Sequence, residues 1–82
     1  MLKLNQMINY YLRPDGAHLR IDEVNKVATN VLNISNHKFI GQITNPDYVD
    51  GMIGMSDKFT PVDEATFNAA FQEAKSFLLS LS

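Results

Sequence analysis

Apolar residues recur through the last third of the chain at three- and four-residue steps: Phe67, Ala70, Phe71, Ala74, Phe77, Leu78 and Leu81, with Asn68, Gln72, Lys75, Ser76 and Ser80 between them. At about 100° per residue the apolar set falls within an arc of roughly 120°, the stripe of an amphipathic helix. Thr60-Pro61 ahead of it offers an N-cap hydroxyl and a proline suited to the first helical position. Asp63 and Glu64 follow, where the helix dipole favours acids. The spacing predicts a long helix over 61–81.

Earlier in the chain two periods compete. In residues 2–13, Leu2, Leu4, Ile8, Tyr10 and Leu12 alternate as in a strand, while Leu4, Met7, Ile8, Tyr11 and Leu12 share one face of a helix. A strand of that length would be unusual, which favours a helix near 3–12. Pro14-Asp15-Gly16 ends the segment in a turn. Ala17, Leu19 and Ile21 alternate with His18 and Arg20, a short strand or extended lead-in. Asp22 then reads as the N-cap of a helix near 22–33, with Val24, Val27, Ala28, Val31 and Leu32 along one side. Phe39 to Ile43, Asn45-Pro46-Asp47 and Tyr48 to Met55 read as a β-hairpin over 38–55, weakened by Gly41, Gly51 and Gly54.

The expected fold is therefore α+β: two short helices, a hairpin, and the long C-terminal helix packed across it. A tandem ββα arrangement is the alternative, since Pro-Asp recurs at 14–15 and 46–47.

Length and composition narrow the class of protein. Eighty-two residues suit one domain with one modest core. With no cysteine there is no disulfide framework, thiolate nucleophile or thiolate metal site. No apolar run approaches the length of a signal peptide or a membrane span, which points to a cytoplasmic protein without a membrane partner. Seven basic residues, scattered singly, stand against nine acids, and this argues against a nucleic-acid-binding face unless folding gathers Arg13, Arg20 and Lys38.

Candidate chemistry is sparse. His18 and His37 are the two side chains that titrate near neutrality, and a small enzyme or metal binder would use one of them. Neither has the spacing to acids or to the other histidine that metal-binding motifs require. Gly51-Met52-Ile53-Gly54 lacks both the spacing and the lysine of a phosphate-binding loop. The expectation is no cofactor, no metal and no catalysis.

Val27-Ala28-Thr29-Asn30-Val31-Leu32-Asn33-Ile34-Ser35, with Phe39-Ile40 and Ile43 beyond it, resembles a helix-turn-helix. That resemblance implies a DNA-binding protein whose recognition helix follows Ser35. The match departs from the family by one extra residue between Ala28 and the turn, and by a recognition segment with Lys38 as its single base and Gly41 in its middle.

Tyrosines and methionines give a different hint, because both residue types are enriched at adaptable interfaces. Tyr10, Tyr48, Met52 and the off-stripe Leu79 are the candidate interface residues, left over once one core is filled. The reading they support is a small non-catalytic protein-interaction module, a homodimer or the subunit or inhibitor of a larger partner. The helix-turn-helix DNA binder is the alternative.

Overall fold

The computed structural model describes residues 7–81. Its frame is a five-stranded antiparallel sheet in the order β4-β3-β2-β1-β5, made of β1 (Ile8–Leu12), β2 (His18–Asp22), β3 (Val27–Ile34), β4 (His37–Ile43) and β5 (Thr60–Pro61). Between β4 and β5 the chain forms helix α1 (Pro46–Gly54) and a 3-10 turn at Ser56–Lys58; α2 (Glu64–Ser80) follows β5. The α+β class and the C-terminal helix packed on the sheet agree with the sequence reading.

Turn chemistry fixes the meander. Arg13 and Ala17 close the first turn through Arg13 N–H to Ala17 C=O at 2.8 Å, and Gly16 adopts φ 91°, a conformation open to glycine. Asp22 closes the second by accepting from the Val24 and Asn25 N–H groups at 3.1 and 3.0 Å. In the third, Ser35 and Asn36 both take positive φ, 53° and 68°, the two-residue geometry whose twist suits adjoining strands.

Alternation along the paired strands sorts side chains onto two faces, and a helix covers each. On one face Leu19, Ile21 and Ala28 are buried with Val49 of α1 and Phe59, flanked by Tyr11, Ile43, Met52 and Ile53. On the other, Val31 is buried with Phe67, Ala70 and Ala74 of α2, flanked by Tyr10, Ile40 and Phe71. The chain passes from the first core to the second along the outer edge of β1, where Thr60 and Pro61 pair with Leu12 and Tyr11. At the opposite edge, Phe77 of α2 stacks on His37 at 4.4 Å and meets Phe39 edge-on at 5.8 Å.

Five expectations are corrected by this arrangement. Residues 8–12 are strand rather than helix; residues 3–6 of that expected helix lie outside the described residues. Tyr10 and Tyr11 each have a core to enter, so both are apolar-facing although they alternate. The expected helix at 22–33 is the β2–β3 turn and β3, a central strand covered on both sides, which leaves no visible alternation. The second arm of the expected hairpin is α1: Asn45 caps it by accepting from the Asp47 N–H at 2.9 Å, and Pro46 opens it. The long helix begins at Glu64, not 61, because Asp63 rather than Thr60 is its cap, accepting from Thr66 N–H at 2.8 Å. The recurring Pro-Asp pairs occupy a strand turn and a helix start, so the tandem ββα alternative falls.

Candidate functional site

The outward side of α1 carries exposed large apolar groups around a shared hollow. Val49 anchors the helix, fully buried against the sheet, with Met52 and Ile53 half-buried beside it. One turn round, Tyr48 is 69% exposed, and Met55 just past the helix end is 50% exposed. Between them lies a shallow hollow of about 330 Å³ lined by Arg13, Ile43, Asp47, Tyr48, Gly51, Met52 and Met55. Gly51 has no atom within 4 Å of where a Cβ would stand, so the hollow's helix side is open.

Arg13 enters this site from the β1–β2 turn in a fixed pose. Its Nη1 donates to Asn30 Oδ1 at 3.0 Å, and its guanidinium lies 5.9 Å from the Phe59 ring centroid. Its Nη2 is 3.9 Å from Asp15 Oδ2, while its buried Nε has no partner among the described residues. On α1, Asp50 pairs with Lys26 from the β2–β3 turn, which ties the helix to the meander. The rim therefore holds one constrained cation, Arg13, and one acid, Asp47.

The candidate interface residues divide. Tyr48 and Met52 come together at α1 with Met55, a further methionine of the interface hint, and are joined by Arg13, Ile43, Asp47 and Gly51, which sequence reasoning did not assign to an interface. Tyr10 is in the opposite core, with its ring 5.5 Å from that of Phe67. Leu79, 65% exposed, lies in the last turn of α2. The missing signal was Asn45-Pro46-Asp47: read as an N-cap, it puts Tyr48, Gly51, Met52 and Met55 at helical spacing.

The histidines are separated by the register. His18 stands opposite Val31, Val31 opposite Ile40, and His37 begins β4 three residues before Ile40. Two strand spacings and three residues of rise put the two at roughly 14 Å, beyond a shared ligand. Burial, and then the charge of Lys38, lower the pKa of His18. Among the described residues no three His, Asp or Glu side chains converge as metal ligands. The segment resembling a helix-turn-helix is the β3–β4 hairpin and presents no recognition helix. Nor are the three bases gathered: Arg20 and Lys38 lie on the α2 face and Arg13 on the α1 face.

No helix of the described residues is long and apolar enough to cross a membrane. Compared with known proteins, the chain matches no family model, no curated protein and no solved structure.

Proposed function

We propose that the protein is a small, non-catalytic interaction module that acts in the cytoplasm and pairs with a second copy of itself through the α1 face. One observation carries this reading: Tyr48 and Met55 stand exposed beside an apolar hollow whose rim bears both Arg13 and Asp47. A twofold interface brings the same patch together twice, so each sign of charge must find its opposite on that patch. Arg13 against Asp47 of the partner copy meets that condition in both directions, with Tyr48 and Met55 filling the facing hollow.

The patch is small against the roughly 800 Å² per partner of a standard interface, so association belongs at the weak, concentration-dependent end. Sedimentation equilibrium over a dilution series reads this directly. A monomer–dimer equilibrium is expected, abolished by Met55→Glu and weakened by Asp47→Lys. A single-chain mass at every concentration would remove the reading. A Met55→Glu protein that dimerised undiminished would move the interface elsewhere.

A further inference from the structure

The opposite side of the sheet holds a second, larger concavity with a different chemistry. Cross-strand register sets Tyr10 opposite Arg20, Arg20 opposite Thr29, and Thr29 opposite Gln42, a single row across four strands. The neighbouring row on the same face is Leu12, His18, Val31 and Ile40, apolar but for His18. Helix α2 packs on Val31, Ile40 and Tyr10, and between it and the sheet a cleft of about 540 Å³ remains. Its lining is Arg20, Thr29, Ile40 and Gln42 from the sheet, with Phe67, Asn68 and Phe71 from the helix.

The polar groups in this cleft have unused bonding capacity. Among the described residues Arg20 makes no ion pair; the two ion pairs are Arg13 with Asp15 and Lys26 with Asp50. Asp22, two positions along the same face of β2, is near enough for the Arg20 charge to help lower its pKa, but its carboxylate is occupied by the Asn25 and Val24 N–H groups and the Asn25 side-chain amide. Gln42 spends its Nε2 on a long 3.5 Å contact to Thr29 Oγ1, which leaves its carbonyl oxygen available. Phe67 and Phe71 form the apolar wall, their rings 5.9 Å apart and 24° from parallel.

We infer that this cleft is a binding site for a small amphipathic carboxylate, with the carboxylate on Arg20 and the apolar body against Ile40, Phe67 and Phe71. The volume lies within the range of small-molecule sites, and such sites combine a mostly apolar lining with a few placed polar groups. A guanidinium suits a carboxylate because its planar fork can donate two parallel hydrogen bonds. A guanidinium in direct contact with no acid among the described residues selects the charged ligand over its neutral isostere. The Asn68 amide and the Gln42 carbonyl are placed to read a further polar substituent. This site does not depend on the α1 face and stands whether or not the protein dimerises.

The test is an amide-resolved NMR titration of the full chain with two probe acids, phenylacetate and octanoate, each beside its neutral amide. Saturable shifts are expected at Thr29, Ile40, Gln42, Phe67 and Phe71, with the acids binding at least tenfold tighter than the amides. Arg20→Gln should remove that preference and leave acid and amide equal. Should Arg20→Gln fail to fold, Asn68→Trp, on the exposed side of the helix, should block the cleft and abolish the shifts. Equal affinity of acid and amide for the parent protein would overturn the assignment. So would shifts that do not saturate, that map to the α1 face, or that persist in Asn68→Trp.

Discussion

Tyr10 and Tyr11, neighbours in the chain, bury their rings in different cores: Tyr10 lies 5.5 Å from Phe67 of α2, and Tyr11 lies 5.7 Å from Phe59 on the α1 side. Energetic coupling should follow that division. A double-mutant cycle on Tyr10 and Phe67 is expected to give about 0.5–1.5 kcal/mol, the range for aromatic pairs. The cycle on Tyr11 and Phe67, separated by the sheet, should be additive within about 0.5 kcal/mol. Phe67→Ala by itself should cost about 3–5 kcal/mol, since the ring is fully buried, whereas exposed Gln72→Ala should change little. Urea denaturation measures all of these, and strong Tyr11–Phe67 coupling would contradict the two-sided core.

The cap of α1 offers a second test. Asn45 accepts from the Asp47 N–H at 2.9 Å, and Asn45→Ala should lower stability by about 1 kcal/mol. Because α1 carries Tyr48 and holds Met55 at its end, the same substitution should weaken self-association more than it weakens the fold. Gly51→Ala should do the reverse for stability, adding about 0.5–1 kcal/mol, since the helix is unstrained there and a Cβ meets nothing within 4 Å. Thermal melts of the two variants should move in opposite directions.

Asp22 makes a pH prediction. The Asn25 backbone N–H, the Asn25 side chain and the Val24 N–H all donate to its carboxylate, and they hold its pKa below the usual aspartate value. A depressed carboxylate stabilises the fold fully above its unfolded pKa, about 4, and that contribution disappears as pH falls through the lower folded value. Asp22→Asn should therefore be less stable than the parent at pH 7. The gap should close as pH is lowered beneath about 4. A gap that stayed constant to pH 2 would mean that ionisation of Asp22 contributes nothing.

The β3–β4 turn is suboptimal in a way that can be improved. Ser35 and Asn36 both hold positive φ, yet serine has no preference for that region. Replacing the pair by Asn-Gly, the residues favoured in such turns, should add about 0.5–1 kcal/mol. The denaturation midpoint should rise with its slope unchanged; a fall would show that the turn residues make contacts beyond the turn.

These same residues explain what the sequence made legible. The α2 stripe was readable because one face of that helix is buried and the other is wet: Phe67, Ala70 and Ala74 are buried, Phe71, Phe77 and Leu78 are half-buried, and only Leu81 falls outside. Pro14-Asp15-Gly16 and the strand after it were readable for a similar reason, since a turn needs particular residues. Asp22 misled because its side chain accepts N–H groups two and three residues ahead, which is what a helix N-cap does, yet the chain it starts is a hairpin. Val27 to Leu32 misled because β3 is buried on both faces, so its apolar residues fit a helical period as well as any other. Asn45-Pro46 and Thr60-Pro61 carry the same helix-start signal, and only the first starts a helix. The α1 hollow was half-legible, through Tyr48 and Met52. The row of Arg20, Thr29 and Gln42 was not, because register across three strands has no local signature.

The short strand β5 also imposes an order in time. Strands β1 to β4 each pair with the next across turns of a few residues, closures that take microseconds. Thr60 and Pro61, in contrast, pair with a strand some 50 residues earlier, on the stretch that carries the chain to the face where α2 packs. On a ribosome adding 5–20 residues per second, Ile43, the last residue of the meander, is polymerised ~1–5 s before Phe67. Until α2 docks, a folded meander would present Tyr10, Val31 and Ile40 as a bare sheet face, the kind of surface that holding chaperones bind and that nascent chains use to stick to one another. The hazard of making this protein is therefore concentrated in one interval and on one surface, and it ends when α2 arrives.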